Sequence, residues 1–421
     1  MQTGKRTMSH GTITLVGGAM SVDYLSDRLL AIQPSPSVAA NTLVSELRAQ
    51  GRDIVNFTVG EPDFDTPAHI QKAAFEAIQS GETHYTDTRG TLALRKAILT
   101  KLSRDNSLDY ALDEVIVGSG GKPLIFHALA ATLNPHDEVL VHAPYWVSYP
   151  DLARLNDAQP VIIPGDEATG FKLTAQTLEA SITSKTKWLI LNSPNNPSGA
   201  VYSRDELVAL ADVLRKYPHV LIMSDEIYEH FIYGKAQHLS IVSVAPDLKS
   251  RTLIINGASK GYAMTGWRIG FAAGPSDMIK AIGKLISQTT TCPSSVSQAA
   301  AVAAFEGDQT PLKEMHAIYV QRREAMLAAL SEANGITCAA PDGAFYVFAN
   351  VSGLIGKKTP QGQIITSDSD FTRYLLTEGG VATVSGEAYG MSPYIRLSFA
   401  SAIEVIGEGC RRIVEACNKL V

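Results

Sequence analysis

The strongest constraint on this chain is an alternation. Short, nearly continuous apolar runs are separated by stretches of helical periodicity between about residues 66 and 305. The runs are Val115-Ile116-Val117, Glu138-Val139-Leu140-Val141, Pro160-Val161-Ile162-Ile163, Trp188-Leu189-Ile190-Leu191, Val220-Leu221-Ile222-Met223 and Thr252-Leu253-Ile254-Ile255. A strand apolar on both faces must be covered on both, and intervening helices supply the covers. The pattern predicts an α/β fold with a mostly parallel central sheet. Ligands in such sheets bind beyond the strands' carboxyl ends, so residues just after each run are the first candidates for chemistry.

The last third changes character. Residues 312–330 read as a long charged helix, 343–348 and 394–399 as strands, and 404–420 as an amphipathic helix. This predicts a smaller α+β domain, with residues 356–369 as a polar surface excursion. A chain of 421 residues exceeds one simple core. The expected division is a large domain over 66–305 and a small domain from 21–65 and 306–421. Residues 1–20 read as an extension: a tag, an arm or the lead-in to a second start at Met20. They are too poor in apolar residues for the core of a signal peptide.

A net charge of −6 argues against nucleic acid or an anionic membrane as partner. No apolar run approaches the ~18 residues of a membrane span. The four cysteines form no CxxC pair, which suits reduced thiols and a cytoplasmic location. No metal is expected.

Several candidates follow the apolar runs. Gly118-Ser119-Gly120-Gly121-Lys122-Pro123 joins a strand to a helix; it fits an anion at a helix N-terminus, or an ordinary turn. Trp146 at the next strand end can stack on a planar ring or pack in the core. Asn195-Asn196, framed by prolines, can aim an amide at a ligand or form a plain turn. Asp225 at a buried strand end needs a positive partner unless it caps a helix. Lys260 sits among small residues, where desolvation favours the neutral amine of a Schiff-base nucleophile. Arg268, eight positions on, is shaped for phosphate. A lysine with a phosphate-binding arginine nearby is what covalently held pyridoxal phosphate requires.

Together these motifs resemble the class I/II aminotransferases of pyridoxal-phosphate fold type I. The resemblance is closest to the bacterial branch that holds aspartate and prephenate aminotransferases. It rests on Gly60-Glu61-Pro62-Asp63-Phe64-Asp65-Thr66-Pro67, Pro144-Tyr145-Trp146-Val147-Ser148-Tyr149-Pro150, residues 192–199, Ser224-Asp225-Glu226-Ile227-Tyr228-Glu229-His230, residues 263–270 and Gly343-Ala344-Phe345-Tyr346. The resemblance implies that Lys260 bonds the cofactor and moves protons, and that Asp225 binds the ring nitrogen. Tyr228 and Asn196 would bind the ring oxygen, and Trp146 would stack on the ring. Gly121, Lys122 and Arg268 would hold the phosphate. Gly60, Trp146, Asn196, Arg396 and Lys122 would meet the substrate, with Arg396 on its α-carboxylate. Lys122 is the first candidate for a side-chain carboxylate and Arg89 the second. Tyr85 would reach the phosphate in a neighbouring subunit, implying a homodimer with shared sites.

The implied reaction is amino transfer from L-aspartate to 2-oxoglutarate. The alternatives are prephenate (with which Thr86 and Lys122 are compatible), aromatic amino acids, or a lyase or decarboxylase on the same fold. A cofactor-dependent transcription regulator would need a DNA-binding domain, for which the N-terminal extension is too short. Departures from the family pattern are Gly257 in place of a hydroxyl residue, Thr88-Arg89-Gly90, Pro123 after Lys122, and Ser385 in Val384-Ser385-Gly386.

Overall fold

A computed structural model describes residues 25–32, 34 and 36–421. The expected extension over residues 1–20 lies outside the described residues. The strands are β1 (Val55–Asn56), β2 (Val115–Gly118), β3 (Glu138–His142), β4 (Gln159–Ile163), β5 (Thr186–Asn192), β6 (Leu221–Asp225), β7 (Thr252–Gly257), β8 (Gly270–Ala273), β9 (Thr337–Cys338), β10 (Tyr346–Asn350), β11 (Val381–Ala382), β12 (Val384–Ser385) and β13 (Tyr394–Ser398).

The seven-stranded central sheet has the order β2-β8-β7-β6-β5-β3-β4. Neighbours from β7 through β4 pair parallel. Only β8 runs against the rest, pairing antiparallel with both β2 and β7. The apolar runs all become strands, and their alternation explains the layering. Val115, Val117, Leu189, Leu191, Ile222 and Ile254 face one helical cover; Ile116, Trp188, Ile190, Met223, Leu253 and Ile255 face the other. Helices Leu92–Asn106 and Arg204–Lys216 build the first cover, and Gly121–Thr132 and Ser276–Thr289 the second. The Arg204–Lys216 helix starts at a capping box of Ser203 and Glu206, which satisfies two of its orphan donors.

β8 was not legible as a strand. Gly270-Phe271-Ala272-Ala273 carries one large apolar side chain, so its signal is weak. Its small residues have a structural cause. A Cβ on Gly270 would lie 2.5 Å from the Gly121 nitrogen, and one on Gly257 would lie 2.8 Å from the Gly270 Cα. Backbones of β7, β8 and the Gly121 turn are therefore in direct contact. This also explains the missing hydroxyl at Gly257, because β8 leaves no space for a side chain there.

A second sheet, β12-β13-β10-β9, is antiparallel throughout. Helices Thr310–Leu330 and Ile403–Asn418 cover it through Tyr319, Met326, Leu330, Ile406 and Ile413. β1 pairs parallel with β11, so Val55 and Phe57 join this core although they precede the central sheet in sequence. Residues 356–369 are mostly exposed, as expected of a surface excursion, but three of them anchor it. Ile365 and Thr359 are buried, and buried Asp368 accepts hydrogen bonds from the Glu387 N–H and the Ser392 hydroxyl.

Gly257→Ser should destabilise the protein by about 1–3 kcal/mol, the usual cost of overpacking. Chemical denaturation measures this; an unchanged midpoint would show that β7 and β8 can separate freely.

Candidate active site

β2, β5, β6 and β7 end on the same edge of the central sheet and open onto a cavity of about 260 Å³. Gly60, Gly121, Lys122, Trp146, Asn196, Asp225, Tyr228, Lys260, Arg268 and Arg396 all line it. Residues nominated from separate strand ends are thus brought together, with Arg396 contributed by the second sheet. Tyr85 is not among the lining residues. It is 87% exposed and sits in a separate surface depression with Thr86 and Ser295. Arg89 does not line the cavity either; its side chain lies 3.8 Å from Asp87.

Asp225 ends β6 and is buried. It is not a helix cap. Its carboxylate accepts a hydrogen bond from the Tyr149 hydroxyl at 2.6 Å and another from the Ile227 N–H at 3.3 Å. Burial pushes its pKa up to about 6, against the lowering effect of these two donors. The Tyr228 hydroxyl lies 2.9 Å from that of Tyr346. Asp225 and Tyr228 line the cavity, while Glu226 and Glu229 enter a buried network outside it. There Lys101 pairs with Glu229, Asn106 donates to Glu229 at 2.6 Å, and Glu226 lies 3.2 Å from His238. Lys101, with its side chain 1% exposed, supplies the counter-charge that burying Glu229 requires.

Lys260 follows β7 by three residues, and its Nζ donates to the Gly60 carbonyl at 2.5 Å. Burial lowers its pKa to about 8; Glu61 and Asp225 act upward, Arg268 and Arg396 downward. A lysine so shifted has an accessible neutral amine near neutral pH, as a nucleophile needs. Ser259 also lines the cavity, placing a hydroxyl there where Gly257 cannot.

At one end stands Arg268, whose Nη1 donates to the Thr265 carbonyl at 2.8 Å. A side chain on Gly120 would collide with this guanidinium, and Gly120 itself has a φ of 98°, where glycine is favoured. The helix Gly121–Thr132 begins here, so its unpaired N–H groups and positive dipole end share the site with Arg268. Arg396 is 3% exposed. Its guanidinium donates to Asn196 Oδ1 at 3.1 Å and to the Thr58 carbonyl at 2.6 Å, while Nε has no partner. Tyr346 lies under it, 4.5 Å from ring centroid to guanidinium. Lys122 sits 4.8 Å from the Trp146 ring centroid, and burial followed by Arg268 lowers its pKa. Among the described residues no carboxylate forms an ion pair with Lys122, Arg268 or Arg396.

Such an arrangement can bind an anion at each end and expose an amine nucleophile between them. The family model described as aminotransferase class I and II matches residues 52–413. This chain belongs to that family. The aminotransferase is similar to a protein of Rhizobium leguminosarum bv. phaseoli named probable aspartate/prephenate aminotransferase, 48% identical over 94% of this chain and 99% of that one. Among solved structures it is similar to the aspartate aminotransferase of Rhizobium meliloti, with a TM-score of 0.92, 44% identity and coverage of 94% and 99%. It is also similar to the Thermus thermophilus aspartate aminotransferase with maleate, with a TM-score of 0.88, 38% identity and coverage of 94% and 100%. The fold is accordingly fold type I of the pyridoxal-phosphate transferases.

Sequence reasoning missed Tyr149, Tyr346, Thr58 and Asn41 as lining residues. Tyr149 and Tyr346 lie inside recognised motifs, three residues after Trp146 and one after Phe345, so the signal existed without a role attached. Asn41 and Thr58 belong to no chemical motif and reach the cavity through the packing of helix Pro36–Ala49 and β1.

Tyr149→Phe should move the acidic limb of the transamination pH profile to higher pH. Tyr149 holds the Asp225 pKa down, so its loss lets burial raise it further. An unmoved limb would show that Asp225 does not depend on this hydroxyl.

Proposed function

We propose that this aminotransferase binds pyridoxal 5′-phosphate and exchanges an amino group between L-aspartate and 2-oxoglutarate, giving oxaloacetate and L-glutamate. The observation that carries the reading is the set of cavity cations without carboxylate partners: Lys122, Arg268 and Arg396. Arg396 is buried, and leaving its charge unpaired is costly; Lys122 and Arg268 are solvent-accessible but converge on the same cavity, so the site fits anionic ligands. Arg268 with the N-terminus at Gly121 suits a phosphate. Arg396, with its free Nε, suits the α-carboxylate common to all amino acids. Lys122 remains, and a second substrate carboxylate is its fitting partner.

The cofactor, when bound, supplies an aldehyde that bonds amines and a ring that accepts the electron pair left by a lost Cα proton. Asp225 provides the negative charge that keeps a ring nitrogen protonated. Lys260 anchors the cofactor, and its freed amine takes and returns the proton at the substrate Cα. Trp146 offers a face for stacking, and Tyr228 and Asn196 offer hydrogen bonds to the ring oxygen. Gly60 and Arg396 border the substrate space. Movement of a small domain (21–65 and 306–421) against a large one (66–305) would exclude water during transfer.

The active unit in this reading is a homodimer. Phe75, Ile78, Tyr85 and Leu92 are all more than half exposed, at 60%, 53%, 87% and 52%. A second copy would cover such residues and receive Tyr85 at its cofactor phosphate. No helix among the described residues is long and apolar enough to cross a membrane; a cytoplasmic location fits the reduced cysteines.

Prephenate is a second reading, favoured by the paired name of the Rhizobium leguminosarum relative. Prephenate also carries two carboxylates, so Lys122 and Arg396 serve it equally. A panel of aspartate, glutamate, prephenate and aromatic substrates ranks them. Stoichiometric keto acid and amino acid products support transfer, whereas release of ammonia or carbon dioxide would indicate a lyase or decarboxylase.

Lys260→Ala should abolish turnover while leaving weak, noncovalent cofactor binding; appreciable transamination by this variant would refute the assignment. Arg396→Ala should raise KM for every α-amino acid, whereas Lys122→Ala should lower kcat/KM about tenfold for dicarboxylic substrates only. Steady-state kinetics separates the two; identical losses on aromatic substrates would show that Lys122 does not read the side chain.

A further inference from the structure

Residues 60–66 form a connection fastened at both ends near Lys260. Its first residue, Gly60, accepts the hydrogen bond from Lys260 Nζ. Glu61 accepts from the Thr265 hydroxyl at 2.6 Å. At the far end, the Thr66 hydroxyl donates to the Ala263 carbonyl at 2.7 Å and accepts from Trp267 Nε1 at 2.9 Å. Both ends are therefore stitched to the loop that carries Lys260 and Arg268.

The middle is held from elsewhere. Asp63 accepts two hydrogen bonds from Arg322, at 2.6 and 2.9 Å. Arg322 belongs to helix Thr310–Leu330, is 7% exposed, and lies 4.9 Å from the Phe64 ring centroid and 5.6 Å from that of Tyr319. Neither Asp63 nor Arg322 lines the cavity. A two-pronged arginine–carboxylate pair fixes orientation as well as distance. An exposed carboxylate such as Glu61 exerts little influence on a neighbour unless its place is fixed.

We propose that Asp63 and Arg322 are positioning residues for Lys260, their ion pair fixing the strap so that the Gly60 carbonyl and the Glu61 carboxylate stay beside the lysine. The inference rests on Lys260 being the cofactor-bearing lysine. The charged groups facing Lys260 are Glu61, Arg268, Arg396 and Asp225. Of the two carboxylates, Asp225 is fixed by Tyr149 and the end of β6, so Glu61 is the one the strap controls. A negative Glu61 favours the protonated form of the lysine nitrogen. Releasing the strap removes that influence and moves deprotonation to lower pH.

The test is a pH titration of the visible absorption of the full-length, cofactor-loaded protein. Glu61→Gln should lower the midpoint by about half a pH unit or more. Asp63→Asn should lower it in the same direction, and Arg322→Lys, which keeps the charge but loses the fork, should do likewise. Asp63→Glu should recover part of the shift. Because the ion pair acts through Glu61, adding Asp63→Asn to Glu61→Gln should move the midpoint no further. A midpoint unchanged in both Asp63→Asn and Arg322→Lys, even with a lowered melting temperature, overturns the strap and leaves Lys260 in place. Additive shifts overturn it too. A visible band that survives Lys260→Ala unchanged overturns the lysine assignment, and the strap with it.

Discussion

The hydrogen bonds of Arg396 tie the molecule together. The side chain starts on β13 of the second sheet and ends on Asn196, beyond the end of β5, and on the carbonyl of Thr58, beyond β1. One guanidinium therefore joins the second sheet to a loop of the central sheet and to the early segment that pairs with β11. Tyr346 and Tyr389 supply aromatic faces beside the charge. The same guanidinium lines the cavity, so the residue that joins the two sheets also presents a cation to that space.

Charges in the cavity follow a consistent order. Asp225 is buried with donors aimed at it, and Lys260 is half-buried with a carbonyl aimed at it. Each is pushed toward its neutral form by burial, and each has neighbours that oppose the push. Outside the cavity, Glu229 pairs with Lys101 and Glu226 lies beside His238. Consecutive residues of one turn thus separate a poised pair, Asp225 and Tyr228, from a locked pair that fixes the turn itself.

Much of this was legible in the sequence, for reasons that differ by residue. The apolar runs gave away the central strands because burial on both faces leaves no other composition. Asp225, Lys260 and Arg268 stood out because charge next to such a run demands a reason. β8 stayed hidden because close backbone contact selects glycine and alanine, which erase the apolar signal. Asn41 and Thr58 stayed hidden because their role comes from long-range packing. Arg322 read only as part of a charged helix; nothing local to it points to Asp63, 259 residues away. Residues 356–369 lie mostly at the surface, as their polar composition suggests, but that composition conceals the burial of Ile365 and Asp368.

The glycine contacts between β7, β8 and the Gly121 turn have a further consequence. There main chain meets main chain, so a side chain added at Gly257 or Gly270 would collide with backbone atoms. Elsewhere the cavity is lined by side chains on separate elements, Asn41, Trp146, Tyr346 and Arg396 among them. Substitution is therefore costlier at these backbone contacts than among the side chains that line the rest of the cavity. A lineage built on this scaffold can vary those side chains more freely than the glycine contacts.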